Sequence, residues 1–454
     1  MLSWIDLTIV IAFLGITLFL GLRNHAHAKD NSRYLLGGRA LTLPAFIATT
    51  VSTWYGGILG IGEYTWLYGI SNWIVFGVPY YLGALLFAIF MSRRARSSES
   101  LTIPHRFETS YGHGNAFCAA ILIFLTTIPG AYILMMGTLG SISFNISSSA
   151  GIILTAVFVV CYLWRGGFSS VVRTDAIQCA LMFGGFIMLS GWLLVNYGLE
   201  PLASLPKTHL EPTGGQSIGS ILIWYIIALS TLAEPNFFQR AFAAKTPQIA
   251  RKGLFISILC WIVFDLMTTF CGLYTRALLP NLDNPVQAFP QLAAAVLPVG
   301  LIGIFYAGLF ATILSSLDSN LFTSAATFGR DLLPQNHTSK SDCSQKIKIG
   351  IVLSAILASI IAMSAGSVVK IWKIFGSVSA ASLLIPIIGT YYRPFKMSST
   401  GCLILMIMSS CATIAWFIIG KINGAYWMNI EPLLIGGGVA LCCFAIDKFV
   451  KKNN

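Results

Sequence analysis

Five hydroxyl residues, Thr312, Ser315, Ser316, Ser319 and Thr323, recur at i, i+3, i+4, i+7 and i+11 within the stretch Leu301–Asp331. On a helix of 3.6 residues per turn they form one narrow stripe, with Asp318 on an adjoining face. A row of inward-facing oxygens beside a carboxylate suits a small hard cation. The alternative chemistry is plainer: hydroxyls in apolar helices also bond back to their own carbonyls or glue helices together. Three further acids interrupt apolar runs, namely Asp175, Glu234 and Asp265. An ionised carboxylate in such a setting is costly unless a cation meets it.

The elements that carry these residues must be membrane helices. The chain has 454 residues, 56% hydrophobic and 10% charged, whereas a water-soluble domain carries about 25% charged residues. The net charge of +12 is spread through short polar segments rather than gathered into a patch, so no nucleic-acid partner is expected. Nine of the ten cysteines fall in apolar segments and Cys343 in a polar loop, with no CxxC spacing, which argues against disulfides and structural zinc. The six histidines, His25, His27, His105, His113, His209 and His337, fall in loops or at span edges, and HExxH, GxSxG and P-loop patterns are absent. No catalytic constellation can be assembled, so the chain is not expected to be an enzyme, nor to need an organic cofactor.

Apolar runs long enough to cross about 30 Å of hydrocarbon number thirteen. The first, Leu7–Leu22, lacks a basic flank and a cleavage site and reads as a retained span. With the N-terminus outside and the C-terminus cytoplasmic, the inner segments hold twenty-three Lys and Arg residues and the outer ones five. That asymmetry supports both the odd count and the direction. Two spans are irregular. The second, near 43–64, carries Gly56, Gly57, Gly60 and Gly62 behind Thr49–Thr53; the seventh, near 217–239, carries Ser230, Thr231, Glu234, Pro235 and Asn236. If residues 43–197 and 198–390 are two five-helix repeats, each opens on a broken helix. Five is odd, so the repeats are inverted, and their broken helices point to a binding site at mid-membrane. Residues 1–42 then form a first helix and loop, and residues 391–454 two closing helices and a short tail. The competing reading has the glycines serving close packing and the proline a simple kink.

The order Tyr34-Leu35-Leu36-Gly37-Gly38-Arg39, Thr174-Asp175-Ala176-Ile177-Gln178, Phe238-Gln239-Arg240, Pro285-Val286-Gln287-Ala288-Phe289-Pro290, and Ser315-Ser316-Leu317-Asp318-Ser319 through Arg330-Asp331 resembles the sodium/solute symporter family, with proline, choline and pantothenate carriers among its members. The resemblance covers nearly the whole chain. It implies an all-α integral membrane fold of leucine-transporter type, built on inverted five-helix repeats. It also implies alternating access, in which inward sodium flow drives a small polar organic solute, such as an amino acid or amine, uphill. Carried over position by position, the sodium ligands would be backbone carbonyls of Ala48, Val51 and Thr312 with the side chains of Ser315 and Ser316. A second cation site in some relatives would correspond to Asp175, Asp318 and Ser319, although Asp175 could instead cap its helix or pair with Arg173.

For the solute, Glu234-Pro235-Asn236 is similar to the Gln-Pro-His segment of proline carriers, and Thr53-Trp54-Tyr55-Gly56-Gly57 to the Thr-Trp-x-Gly-Gly of choline carriers. Thr50, Trp54, Tyr55, Glu234 and Asn236 are the candidate contacts. An amine-bearing solute facing Trp54 and Tyr55 would satisfy Glu234, as would pairing with Arg240 or protonation. Asp265 could be a proton site, a contact with another helix or a substrate contact. Two alternatives stay open: a proton-coupled symporter of the same fold, and a transporter-like sensor acting through a partner. The expected partners are the solute and the lipid bilayer, with no obligate protein partner, and the expected location is a bacterial inner membrane.

Overall fold

The computed structural model describes residues 2–23, 31–334, 342–365, 367–427 and 430–453. His25, His27 and His337, together with Lys29 and Lys340 from the charge count, lie outside the described residues. Among those described, regular structure is helical apart from one β-bridge, and eleven helices are long and apolar enough to cross a membrane.

The first of them, α1 (Trp4–Leu22), opens on a capping box in which Ser3 and Asp6 satisfy each other's backbone donors. A short α2 (Asn31–Leu36) leads to α3 (Leu43–Trp54) and α4 (Ile58–Tyr68), which are separated by a break at residues 55–57. Next come α5 (Val78–Leu86) and α6 (Ser92–Ser97), joined through π-helical turns at Trp73–Gly77 and Phe87–Met91 into one crossing. The amphipathic α7 (Ile103–Tyr111) precedes α8 (His113–Thr126) and α9 (Gly130–Phe144). Then α10 (Ser148–Tyr197) runs for 50 residues.

The second half begins with α11 (Ile218–Ala228) and α12 (Pro235–Ala243), between which Glu234 adopts an extended conformation. Extended geometry is what the residue before a proline prefers. The long α13 (Pro247–Leu278), the short α14 (Ala288–Val296) and α15 (Leu301–Ala326) follow. The apolar run near 290–326 is thus a short amphipathic helix followed by a span. The chain closes with α16 (Asp342–Ala365), α17 (Val368–Tyr391), α18 (Ser399–Ile422) and α19 (Pro432–Asn453).

The eleven long apolar helices and the thirteen apolar runs divide two regions differently. Gly167, at φ 56° and ψ −156°, is non-helical and kinks α10, so its 50 residues comprise two helices, one on either side of the kink, that correspond to two of the apolar runs. In addition, neither α3 nor α4 is long enough to cross alone.

Of the eleven, the helix containing α15 is the most enclosed. It packs against α10 and α3, and on one side the backbones approach closely. Gly185 and Gly308 face each other across α10 and α15, and a Cβ on Gly308 would stand 2.9 Å from the Leu181 carbonyl oxygen. In lipid such small-residue contacts supply the packing that hydrophobic burial supplies in water. The start of α15 is tied to α1: the backbone N–H groups of Gly300 and Gly303 each donate to Asp6 Oδ1 at 2.8 Å. Asp6 thereby satisfies helix-end donors that have no intrahelical partner.

Removing that carboxylate leaves two buried N–H groups without a partner. Asp6→Ala is expected to cost about 1–3 kcal/mol of stability, read as a lower melting temperature of the purified protein, with Asp6→Asn intermediate. Equal melting temperatures would show that the tether contributes nothing.

Candidate functional site

The break after Trp54 frees backbone oxygens, because the last four carbonyls of a helix have no N–H ahead of them. The hydroxyl stripe of α15 faces these oxygens. Ser315 Oγ lies 2.8 Å from the Ser52 carbonyl oxygen and 3.0 Å from that of Thr312, and the Ser316 hydroxyl donates to the Thr53 carbonyl. The Val51 carbonyl accepts from the Trp261 indole N–H at 3.2 Å. Ala48 sits inside α3, where the helical ladder engages its carbonyl. Thr312 turns its hydroxyl back to the Gly308 carbonyl at 2.7 Å, as the plainer reading of membrane hydroxyls anticipates. The other four hydroxyls of the stripe reach other elements.

Ser319 and Thr323 meet a second set of groups. Arg240, on α12 and only 1% exposed, extends its guanidinium to Ser319 Oγ (2.5 Å), Thr53 Oγ1 (2.8 Å) and Thr49 Oγ1 (3.2 Å). It also donates to Gln239 Oε1 (3.0 Å) and Asn236 Oδ1 (3.3 Å), and Thr323 donates to Asn236 Oδ1 at 2.9 Å. The same guanidinium stands 3.7 Å from Asp175 Oδ2, which also accepts from the Thr49 hydroxyl. Asp175 is therefore paired with Arg240 rather than with Arg173. Asp318 turns the other way, to accept from the Tyr162 hydroxyl, and among the described residues its second oxygen has no hydrogen-bond partner. The three residues read as a second cation site are thus divided: Asp175 and Ser319 face Arg240, and Asp318 faces Tyr162.

Both broken helices open onto one cavity of about 220 Å³. Trp54, Tyr55, Glu234 and Asn236 line it. Thr50 does not, since it lies one turn earlier on the unbroken part of α3, fully buried with its hydroxyl unpartnered. Glu234 is the N-cap of α12 and accepts from the Asn236 backbone N–H at 3.2 Å and from its side chain at 3.0 Å. Among the described residues it makes no direct ion pair, because the Asn236 side chain stands between it and Arg240. Trp54 packs at a tilt against Phe237 (4.7 Å between ring centres) and meets Tyr80 edge-on at 5.8 Å.

Sequence reasoning missed several walls of this cavity: Tyr80, Tyr81, Tyr132, Asn320 and Trp372. Asn320 was legible, since it lies four residues after Ser316 on the same helical face. Trp372 was not, because it arrives from α17 and packs over Gly57, where any Cβ would overlap its ring, and Gly60, where a Cβ would stand 3.1 Å from it.

A stripe of hydroxyls against the carbonyls of an interrupted helix, beside an aromatic cavity shared by two broken helices, defines a secondary transporter of the leucine-transporter type. The chain belongs to the sodium:solute symporter family, whose model matches residues 34–409. It is 27% identical over 442 residues to a sodium/pantothenate symporter of Haemophilus influenzae, covering 90% of this chain and 89% of that one. It is 23% identical over 443 residues to an osmoregulated proline transporter of Bacillus subtilis, covering 90% and 88%. Among solved structures, an outward-open, substrate-bound Na+-coupled sialic acid symporter superposes with a TM-score of 0.81 at 17% identity, covering 98% of this chain and 97% of that one. A nucleobase-cation-symport-1 transporter in a closed conformation gives a TM-score of 0.60 at 12% identity, covering 93% and 96%. The protein is a multi-pass membrane transporter, not an enzyme, and it binds a small-molecule solute.

Gly56 sits where the seam and the cavity meet, and a Cβ there would overlap the Ser316 side chain and stand 3.0 Å from the Tyr132 ring. Gly56→Ala is expected to cut sodium-dependent uptake at least tenfold while the protein still reaches the membrane. Uptake at the wild-type rate would show that the close approach of α15 to the break is dispensable.

Proposed function

We propose that the protein imports a small polar organic solute across a bacterial inner membrane, driven by sodium that binds in the seam between α3 and α15. The observation that carries this reading is the convergence of the Ser315 and Ser316 hydroxyls on the carbonyl oxygens released by the break after Trp54. Neutral hard oxygens from backbone and hydroxyls hold a monovalent ion weakly enough to release it. The ligand set Ala48, Val51, Thr312, Ser315 and Ser316 remains our assignment, with the carbonyls of Ser52 and Thr53 added as neighbours. A bound ion takes over oxygens that hydroxyl donation now occupies.

We assign residues 43–197 and 198–390 to the two repeats, with 1–42 before them and 391–454 after. The division is supported by the way the two broken helices, one opening each repeat, share a cavity wall. The N-terminus lies outside and the C-terminus inside, as the distribution of Lys and Arg argues. On the side this makes cytoplasmic, the chain is stitched shut. The Leu41 N–H donates to the Ala243 carbonyl (3.1 Å), the Lys245 N–H to the Leu41 carbonyl (3.0 Å), and Arg96 Nε to the Ala244 carbonyl (2.5 Å). Release of solute inward requires those contacts to part.

At Asp175, Asp318 and Ser319, the fixed charge of Arg240 serves Asp175 and Ser319 in place of a second ion. Asp318, buried with one unpartnered oxygen, supports a second reading in which a proton is the coupling ion. Uptake in sodium-free buffer separates the two. Accumulation that follows only the pH gradient would replace sodium by protons and remove the role given to Ser315.

Two substitutions carry the assignment further. Ser315→Ala combined with Ser316→Ala is expected to raise the sodium concentration for half-maximal uptake several-fold, because two oxygens leave the ion's shell; an unchanged value would overturn the site. Glu234→Gln is expected to weaken solute affinity several-fold while leaving sodium affinity within about twofold. Equal effects on both would make Glu234 a helix cap and nothing more.

A further inference from the structure

The solute cavity is acidic in a way that its relatives' names do not suggest. Two carboxyl groups reach its wall, Glu234 from the break before α12 and Asp265 from the middle of α13. Among the described residues, no Lys, Arg or His lines it. The nearest guanidinium, Arg240, lies behind Asn236 and is already committed to Asp175, Ser319, Thr53 and Gln239. A solute carboxylate would therefore meet two acids and no side-chain cation.

Asp265 is built as a receptor. It is 3% exposed and accepts from two phenol hydroxyls, Tyr55 at the break after α3 on one oxygen and Tyr81 of α5 on the other. Tyr55 is itself braced by Thr268 Oγ1 at 3.2 Å. An ionised carboxylate offers about four acceptor positions, so two remain after the tyrosines are served. All three side chains line the cavity, and no ion pair closes on Asp265 among the described residues. Buried carboxylates in membrane helices are met by cations, and here the open direction is toward the solute. The intervening walls, Trp54, Tyr80, Tyr132 and Trp372, present aromatic faces suited to methylene groups and to positive charge.

We propose that the transported solute is an organic cation of the aliphatic amine class, its ammonium seated on Asp265 between Tyr55 and Tyr81. Where a second ammonium is present, Glu234 takes it, so a short linear diamine matches both charges. A primary ammonium fits better than a quaternary one because its three N–H donors can use carboxylate and amide oxygens together. The proposal rests on the symport reading above, since it places the solute in the cavity that reading assigns.

The test uses the purified full-length protein and proteoliposomes, with and without sodium, and four probes: 1,4-diaminobutane, butylamine, proline and pantothenate. The diamine, butylamine or both are expected to raise the melting temperature only in sodium and to accumulate in the vesicles. Asp265→Asn is expected to raise the half-saturating amine concentration at least tenfold. Should that variant fail to fold, Tyr81→Phe, which removes one hydroxyl, is expected to raise it about threefold. Sodium-dependent binding of proline or pantothenate without any response to the amines overturns the proposal and leaves the symport reading standing. Amine binding that ignores sodium supports the proposal and overturns the symport reading. Silence toward both amines, or unchanged amine affinity in the folded variants, overturns the proposal.

Discussion

The contact on which the rest of the structure depends is the one between the hydroxyl stripe of α15 and the backbone oxygens at the end of α3. Membrane helices keep their carbonyls internal because no water is available to satisfy them. A break at residues 55–57 violates that rule and is tolerated only where other groups answer the exposed oxygens. Ser315 and Ser316 answer those of Ser52 and Thr53, and Trp261 answers that of Val51. The same oxygens that make the break tolerable in lipid are the ones we propose an ion borrows, so on that reading a structural necessity and a transport site coincide.

Charge is arranged around this seam with similar economy. Asp175, in the membrane interior, is held by Arg240, and the guanidinium extends to Thr49, Thr53 and Ser319. One fixed cation thereby links α3, α10, α12 and α15. Because Arg240 is spent here, Glu234 and Asp265 stay uncompensated at the cavity wall. A buried ion pair contributes little net stability once desolvation is counted. Its effect here is to leave Glu234 and Asp265, among the described residues, without a paired cation.

Much of this was legible in the sequence, and the failures have physical causes. The stripe could be read because helical periodicity is strict, and four of its five hydroxyls do leave their own helix. Glu234-Pro235 marked the second break because proline dictates the conformation of its predecessor. Gly167, at positive φ, kinks α10 between two of the apolar runs. Ala48 was placed by analogy of position and lies in the laddered part of α3, before the break that follows Trp54. Thr50 falls outside the cavity for the same reason. Partners brought together from distant spans, such as Tyr81 on Asp265 or Trp372 on Gly57, leave no periodic trace in either segment and could only emerge from the fold.

Thr53 shows how ion and solute can affect each other without a long pathway. Its carbonyl belongs to the seam, accepting from Ser316. Its hydroxyl belongs to the charge network, 2.8 Å from Arg240 and 2.9 Å from Ser319 Oγ, and the residue also lines the cavity. Two positions on, Tyr55 holds Asp265. Coupling between two ligands requires an element whose arrangement both of them bias. Residues 53–57 qualify, because an ion that reorients the seam oxygens acts on the same short, unladdered segment that presents Trp54 and Tyr55 to the solute. A continuous helix through this segment would have insulated the two sites by fixing every carbonyl in its ladder.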